Sequence, residues 1–329
     1  MMQTLLEVHN LKTYFYTRRG VVRAVDSVSF DVRKGEIYGL VGESGCGKSV
    51  TALSIIRLVP NPPGKIVEGI VKLKGENLLE KSNKEMRSIR GKEIAMIFQD
   101  PLTSLDPVMK VGSQMLEAIK SHYDVSDTEA LRMIMESLHS VGISDPDVRV
   151  QQYPFQLSGG LRQRIMIATA LLCKPSLLIA DEPTTNLDVT VQAQILTLIK
   201  NLRDTIGTSV LLITHNLGIV AWLCDRLSVM YAGKIVEQAD TRSIFTQPLH
   251  PYTQLLLRAI PGKGAFKTRL ETIEGDVPNL INVPTGCRFH PRCPYAKSIC
   301  AVEEPALLDF EANHKVSCHI YHHKRWGEI

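Results

Sequence analysis

Gly42-Glu43-Ser44-Gly45-Cys46-Gly47-Lys48-Ser49 is the stretch that decides how this 329-residue sequence is read. It fits the phosphate-binding pattern G-x-x-x-x-G-K-[ST] at every fixed position. An apolar run, Ile37-Tyr38-Gly39-Leu40-Val41, precedes it and reads as a strand. Val50 to Leu58 follows and reads as a helix. Strand, glycine-rich loop and helix in that order separate a phosphate loop from a chance glycine-rich turn. The glycines let successive backbone N–H groups turn inward around phosphate oxygens, and the helix N-terminus adds partial positive charge. In such a loop Lys48 reaches the β- and γ-phosphates, and the Ser49 hydroxyl ligates Mg²⁺. Gly42, Glu43, Ser44, Gly45, Cys46, Gly47 and Val50 complete the expected nucleotide contacts.

A second apolar strand, Leu177-Leu178-Ile179-Ala180, ends in two carboxylates, Asp181 and Glu182. Beside a phosphate loop, Asp181 is placed to hold the Mg²⁺ ion and Glu182 to orient the attacking water. Between these motifs lies Leu157-Ser158-Gly159-Gly160-Leu161-Arg162-Gln163-Arg164, which opens a long apolar helix. A Ser-Gly-Gly helix start offers N–H groups and a hydroxyl to an anion, although any Ser-Gly can also be an ordinary N-cap.

This stretch, in its place before the Asp181-Glu182 strand, resembles the signature sequence of the ATP-binding cassette (ABC) family. Three more pieces match the family in order. Gln99 follows the strand Ile94-Ala95-Met96-Ile97-Phe98, Thr185-Asn186-Leu187-Asp188 follows Pro183-Thr184, and His215 follows Ser209 to Thr214. The resemblance covers about residues 4–250. It implies that Gln99 touches Mg²⁺ and the water, that His215 senses the γ-phosphate, and that Ser158, Gly159 and Gly160 bind the ATP of a facing subunit. It also implies an aromatic that stacks on adenine. Phe15 aligns best, with Tyr14 and Tyr16 as neighbours. Leu161 and Val50 depart from residues common in the family.

The fold class expected is α/β: a P-loop ABC-ATPase core with an inserted helical subdomain and a cysteine-rich C-terminal extension. The core is expected over 1–100 and 157–248. The helical subdomain is expected over 101–156, where Val111 to Ile119 and Thr128 to Val141 carry apolar residues at helical spacing. In transporters of the family, the Pro101 to Gln114 segment forms much of the groove that receives the membrane subunit.

The extension, 249–329, carries four of the seven cysteines, Cys287, Cys293, Cys300 and Cys318, in the pattern C-x₅-C-x₆-C-x₁₇-C. With the run Pro284-Thr285-Gly286-Cys287-Arg288-Phe289-His290-Pro291-Arg292-Cys293-Pro294, it resembles the C-terminal extension of oligopeptide and dipeptide ABC importer ATPases. Soft thiolates select Zn²⁺ or an iron–sulfur cluster. Zinc sites bring ligands in close C-x₂₋₄-C pairs, and these spacings are wider, so a [4Fe–4S] cluster is expected, with Zn²⁺ as the alternative. His290, His314 and His319 stand nearby as substitute zinc ligands or bystanders.

Composition is ordinary for a globular chain: 44% hydrophobic, 22% charged, net charge +4. That charge gives no reason to expect nucleic acid as a partner. Apolar runs fall short of the ~18 residues that span a bilayer. The first residues lack a basic segment followed by an apolar core, so no signal peptide is read there. The expected place is therefore the cytoplasmic face of the membrane, held peripherally by partners. The resemblance implies those partners: a second ABC ATPase forming a heterodimer, two integral-membrane permease subunits, and an external peptide-binding protein. The expected activity is ATP hydrolysis powering peptide import; the alternatives are import of another solute such as a metal or glycoside and, in lesser measure, a soluble ABC ATPase acting on nucleic acid.

Overall fold

The computed structural model describes residues 3–100, 104–185, 187–259 and 273–322. Pro101 to Thr103 of the predicted groove segment and Asn186 of the Thr185–Asp188 motif lie outside the described residues. In chain order the strands are β1 (Thr4–Thr17), β2 (Gly20–Arg33), β3 (Ile37–Val41), β4 (Gly64–Leu73), β5 (Glu76–Asn77), β6 (Ile94–Ile97), β7 (Leu177–Asp181), β8 (Ser209–Thr214), β9 (Arg226–Tyr231), β10 (Lys234–Asp240), β11 (Leu308–Glu311) and β12 (His314–Val316). The helices are α1 (Lys48–Ile55), α2 (Asn83–Ile89), α3 (Val111–Lys120), α4 (Asp127–Ser140), α5 (Pro146–Arg149), α6 (Gly159–Leu171), α7 (Val189–Ile206), α8 (Leu217–Leu223), α9 (Thr241–Thr246), α10 (Pro251–Arg258), α11 (Ser298–Val302) and α12 (His319–His322).

The chain divides into two compact units. One comprises residues 1–5, 33–36 and 80–212. Its strands run in the order β8-β7-β6, with β6 parallel to β7. Every residue of β7 and β8 is buried, which is why both read as unbroken apolar runs rather than alternating ones. Helices α3, α4 and α6 pack on one another. Val111, Met115 and Ile119 form the buried stripe of α3, and Ala130, Ile134 and Leu138 that of α4. Ser126 caps α4 by accepting from the Glu129 amide. Gln114 fastens the preceding turn. Its side-chain amide donates to the Asp106 and Met109 carbonyls at 2.9 Å, and its oxygen accepts from the Asp106 amide at 2.9 Å.

The other unit comprises residues 6–32, 37–79 and 213–329. It holds a four-stranded sheet, β2-β1-β4-β5, and a series β11-β12-β10-β9-β3. Parallel pairing joins β3 to β9, and β9 turns antiparallel into β10 through Ala232 and Gly233, both at positive φ. Strand β12 then adds to the other edge of β10. C-terminal residues are thus part of the sheet rather than an appendage to it.

A buried charge fastens that edge. Glu237 of β10 is fully buried. Its carboxylate accepts from the Leu249 and His250 amides, at 2.7 and 2.9 Å, and from His314 Nε2 at 2.8 Å. Three donors on one carboxylate offset the cost of taking it out of water. His250 in turn caps α10, its Nδ1 accepting from the Tyr252 amide at 3.0 Å. Burial pushes the His250 imidazole down to about 4, against a weaker opposing pull from Glu237.

That depression fixes the sign of a pH effect. The fold holds His250 neutral, whereas an unfolded chain protonates it near pH 6.5. Its contribution is complete above pH 6.5 and is lost as pH falls toward 4, by up to about 3 kcal/mol. Urea unfolding at pH 7.5 and pH 4.5 is expected to show a smaller loss in His250→Asn, which keeps the cap but cannot titrate, than in the wild type.

Candidate active site

In the second unit, β3 ends at Val41 and α1 begins at Lys48. The loop between them is shaped by contacts that a side chain would block. A Cβ on Gly42 would stand 2.1 Å from the Met230 carbonyl oxygen, and one on Gly47, at φ +108°, 2.1 Å from that of Ala24. Only glycine lets the loop lie so close to both carbonyls. The Gly233 amide donates to the Cys46 carbonyl at 2.8 Å, closing the loop against the β9–β10 turn. Cys46 is fully buried, and burial pushes its thiol up despite nearby Lys48.

Lys48 is almost fully buried, and its Nζ donates to the carbonyls of Gly42 and Glu43 at 2.8 and 3.0 Å. The cation thus lies across the mouth of its own loop. Ser49 and Val50 follow, half-buried, in the first turn of α1.

Glu43 has all its polar groups engaged. Its amide donates to the Tyr252 hydroxyl at 3.0 Å. Its carboxylate forms a two-pronged pair with Arg292, Nη1 to Oε2 at 2.9 Å and Nη2 to Oε1 at 3.2 Å. Tyr252 belongs to a ring cluster with Tyr231, Phe289 and His250. Sequence reasoning had no signal for these partners, because Tyr252 and Arg292 lie 209 and 249 residues from Glu43.

The aromatic candidates separate by environment. The Tyr14 hydroxyl donates to Asp26 at 2.9 Å. Burial first, and that hydrogen bond next, push its phenol up to about 12. Phe15 is half-buried beside Gly64, and Tyr16 is exposed. His215 stands exposed just past β8, ahead of the Asn216 cap of α8.

The first unit carries the carboxylates. Asp181 closes β7 and is buried, and Glu182 follows at φ +46°. That left-handed backbone costs a non-glycine residue about 1 kcal/mol and is the kind of strain found at functional sites. One oxygen of Glu182, Oε2, accepts from Gln99 Nε2 at 3.2 Å and from the Thr185 hydroxyl at 2.9 Å. Gln163, from α6, donates to the Pro183 carbonyl at 2.6 Å, tying the signature helix to the carboxylate turn. Ser158 caps α6, and Ser158 and Gly159 are exposed. The structure therefore brings Gln99, Glu182 and Thr185 together in one unit, and gathers Gly42 to Val50 in the other.

The expected metal centre is corrected in one respect. All four extension cysteines are free thiols. Among the described residues, no three His, Cys, Asp or Glu side chains converge as ligands of one ion. Burial first, and neighbouring cysteines in smaller part, push Cys287 up to about 11 and Cys318 up to about 12. The three histidines have other partners. His290 Nδ1 donates to the Cys287 carbonyl, His319 Nε2 to the Glu303 carbonyl, and His314 to Glu237. Among the described residues, no helix is long and apolar enough to cross a membrane.

Comparison with known proteins bears on both halves of the chain. Residues 25–185 match the ABC transporter family, and residues 236–300 match the oligopeptide/dipeptide transporter C-terminal region. The probable peptide ABC transporter ATP-binding protein y4tR of Sinorhizobium fredii is 53% identical, over 95% of this chain and 94% of its own. The oligopeptide transport ATP-binding protein AppD of Bacillus subtilis is 49% identical, over 97% and 98%. The dipeptide transport ATP-binding protein DppD of Escherichia coli is 47% identical, over 96% of each. Among solved structures, the dimeric bacterial ABC transporter cassette MJ0796 is similar with a TM-score of 0.65 and 26% identity, covering 72% of this chain and 99% of that one. The chain belongs to the ATP-binding proteins of the ABC transporter family. Its fold is the P-loop ABC-ATPase fold, and it is an ATP hydrolase carrying the C-terminal region of the oligopeptide/dipeptide transporters.

Replacing Glu182 by Gln keeps the shape of the side chain and removes the base. Nucleotide titration is expected to show ATP affinity close to the wild type, while single-turnover hydrolysis falls by a hundredfold or more.

Proposed function

We propose that this protein is the ATP-hydrolysing subunit that powers import of di- and oligopeptides across the cytoplasmic membrane. The observation that carries this reading is the joint presence of a built phosphate loop and a match to the peptide-transporter region over residues 236–300. That region favours peptides over a metal or glycoside as the solute, and the named relatives act in peptide transport.

Each residue then has a task. The N–H groups of Gly42 to Ser49 cradle the phosphates. Lys48 leaves the Gly42 and Glu43 carbonyls for the β- and γ-phosphates. Ser49, Gln99 and Asp181 are the residues that would hold Mg²⁺, which would neutralise charge on the leaving phosphate. Glu182 orients the attacking water, steadied by Gln99 and Thr185, and His215 contacts the γ-phosphate. Phe15 stacks on adenine, since the Tyr14 hydroxyl is already committed to Asp26.

Ser158, Gly159 and Gly160 serve the ATP of a facing ATPase subunit. The exposure of Ser158 and Gly159 at the start of α6 suits that role, and the dimeric MJ0796 cassettes offer a precedent among similar folds. The facing subunit is a second, different ATPase. Residues 101–156 act as an inserted helical subdomain that docks a membrane subunit; the assembly has two integral-membrane permeases, which receive peptide from an external binding protein. The chain sits peripherally on the cytoplasmic face. Mixing it with its cognate ATPase and a non-hydrolysable ATP analogue is expected to give a joined particle by light scattering. Two unchanged monomers, each with analogue bound, would refute the pairing.

For residues 249–329 we read a cysteine-bearing extension that holds a [4Fe–4S] cluster through Cys287, Cys293, Cys300 and Cys318. Four thiols lie within electrostatic reach of one another. Their sequence spacings, wider than the close C-x₂₋₄-C pairs of zinc sites, favour a cluster over a single tetrahedral Zn²⁺. Anaerobically purified protein is expected to carry iron and acid-labile sulfide in near-equal amounts. Stoichiometric zinc without iron would overturn the assignment.

A further inference from the structure

We propose that Arg292, in the C-terminal extension, is a positioning residue of the ATP site. It holds the phosphate loop in shape through Glu43 and neutralises that carboxylate beside the bound triphosphate. The inference rests on residues 42–49 being the ATP site.

The guanidinium is fully committed. Nε donates to the Glu274 carbonyl at 2.9 Å, and Nη2 to the Ile273 carbonyl at 3.2 Å and to Glu43 Oε1. Nη1 donates to Glu43 Oε2 and, at 3.4 Å, to the Tyr231 hydroxyl. Five N–H bonds meet five acceptors, which fixes the fork in one orientation. Only 6% of the Arg292 side chain is exposed, against 25% for Glu43. The fork also lies over the Tyr231 ring, 5.9 Å from its centroid. Arg292 is therefore held by the extension and β9, and Glu43 is the group it holds.

Glu43 has its amide on Tyr252 and its carbonyl on Lys48. When Lys48 turns to the phosphates, the carbonyl loses that partner. Tyr252 and Arg292 remain, and both come from the C-terminal region. A bare carboxylate at this position would repel a polyanion entering the adjacent cradle. The sequence supplies a second, parallel contact. Arg288, one residue after Cys287, pairs with Asp26 and donates to the Ala232 carbonyl. Ala232 adjoins Gly233, whose amide closes the loop at Cys46. Arginines adjoining two of the extension cysteines thus brace the two sides of the loop. Lysine cannot reproduce the Arg292 fork, because it offers no planar pair of donors.

Equilibrium titration of the full-length chain with a fluorescent ATP analogue and saturating Mg²⁺ tests this, with steady-state hydrolysis alongside. Arg292→Ala is expected to weaken binding roughly tenfold and raise KM to match, with kcat within about twofold. Arg292→Lys falls between. Glu43→Gln alone costs less than about threefold, since the amide still accepts from the fork. The double variant recovers most of the affinity lost in Arg292→Ala, because the bare carboxylate is gone. Hydrogen exchange at residues 42–49 is expected to rise in Arg292→Ala. Wild-type affinity in Arg292→Ala, or a double variant as weak as the two single losses combined, would overturn the proposal. If Arg292→Ala does not fold, the Arg292→Lys and Glu43→Gln titrations decide, and equal affinity to wild type in Arg292→Lys counts against it. Lys48→Ala separates the underlying reading: if that variant binds ATP normally, the loop assignment fails, whatever Arg292 does.

Discussion

A polyanion can be gripped by backbone amides only if the loop carrying them is kept open without a ligand. That constraint organises this protein. Gly42 and Gly47 let the loop press against the Met230 and Ala24 carbonyls, where a Cβ would collide. The loop rests on β9 and β2 as much as on its own strand and helix. Inward-turned amides repel one another, and so does the Lys48 cation beside them. Lys48 is laid on two loop carbonyls, which take up its charge. The arrangement is self-satisfied yet easily exchanged, since a triphosphate offers stronger acceptors to the same cation.

Hydrolysis asks for something different: one carboxylate oxygen held while water is oriented. The strand β7 delivers two adjacent acids to one end, but a regular strand would send them to opposite faces. Turning Glu182 into left-handed backbone breaks that alternation. The strain is opposed by Gln99 and Thr185 on the carboxylate and by Gln163 on the next carbonyl. Gln163 belongs to the helix that starts at Ser158, so the carboxylate turn and the signature helix share a hydrogen bond. A shift of that helix would be felt at Pro183, one residue from Glu182.

Much of this was legible in the sequence, because phosphate chemistry restricts residue types at fixed local spacing. The phosphate loop, the acids after an apolar strand, and Ser-Gly-Gly before an apolar helix each show within a dozen residues. The α3 and α4 stripes were readable for the same reason. Local patterns carry no sign of partners fixed by the fold. Nothing in the sequence marks Glu43 as the mate of Arg292, Asp26 as that of Arg288 and Tyr14, or Glu237 as a carboxylate buried among three donors. The aromatic near residue 15 could not be chosen from alternation alone, since β1 is irregular in its pairing between His9 and Thr13. From the cysteine spacing a [4Fe–4S] cluster is expected, with Zn²⁺ as the alternative. All four are free thiols, and among the described residues no three His, Cys, Asp or Glu side chains converge as ligands of one ion.

The extension is better understood as part of the fold than as cargo. Glu237 is a fully buried acid on β10, between Val236 and Gln238. Two of its three donors, the Leu249 and His250 amides, come from the turn into α10, and the third, His314, from β12. Remove residues beyond 248 and that carboxylate would lose every one of these donors, while β10 would present an open edge in place of β12. The same residues supply Tyr252 and Phe289 to the ring cluster and Arg292 to the loop. An elongated tail ordinarily evolves freely because it touches little. This one contributes to sheet edge, buried charge and phosphate loop at once, so a change in its cysteine-bearing segment has a short mechanical route to the nucleotide. The peptide-transporter C-terminal region is accordingly a structural element of the ATPase as well as a mark of its branch.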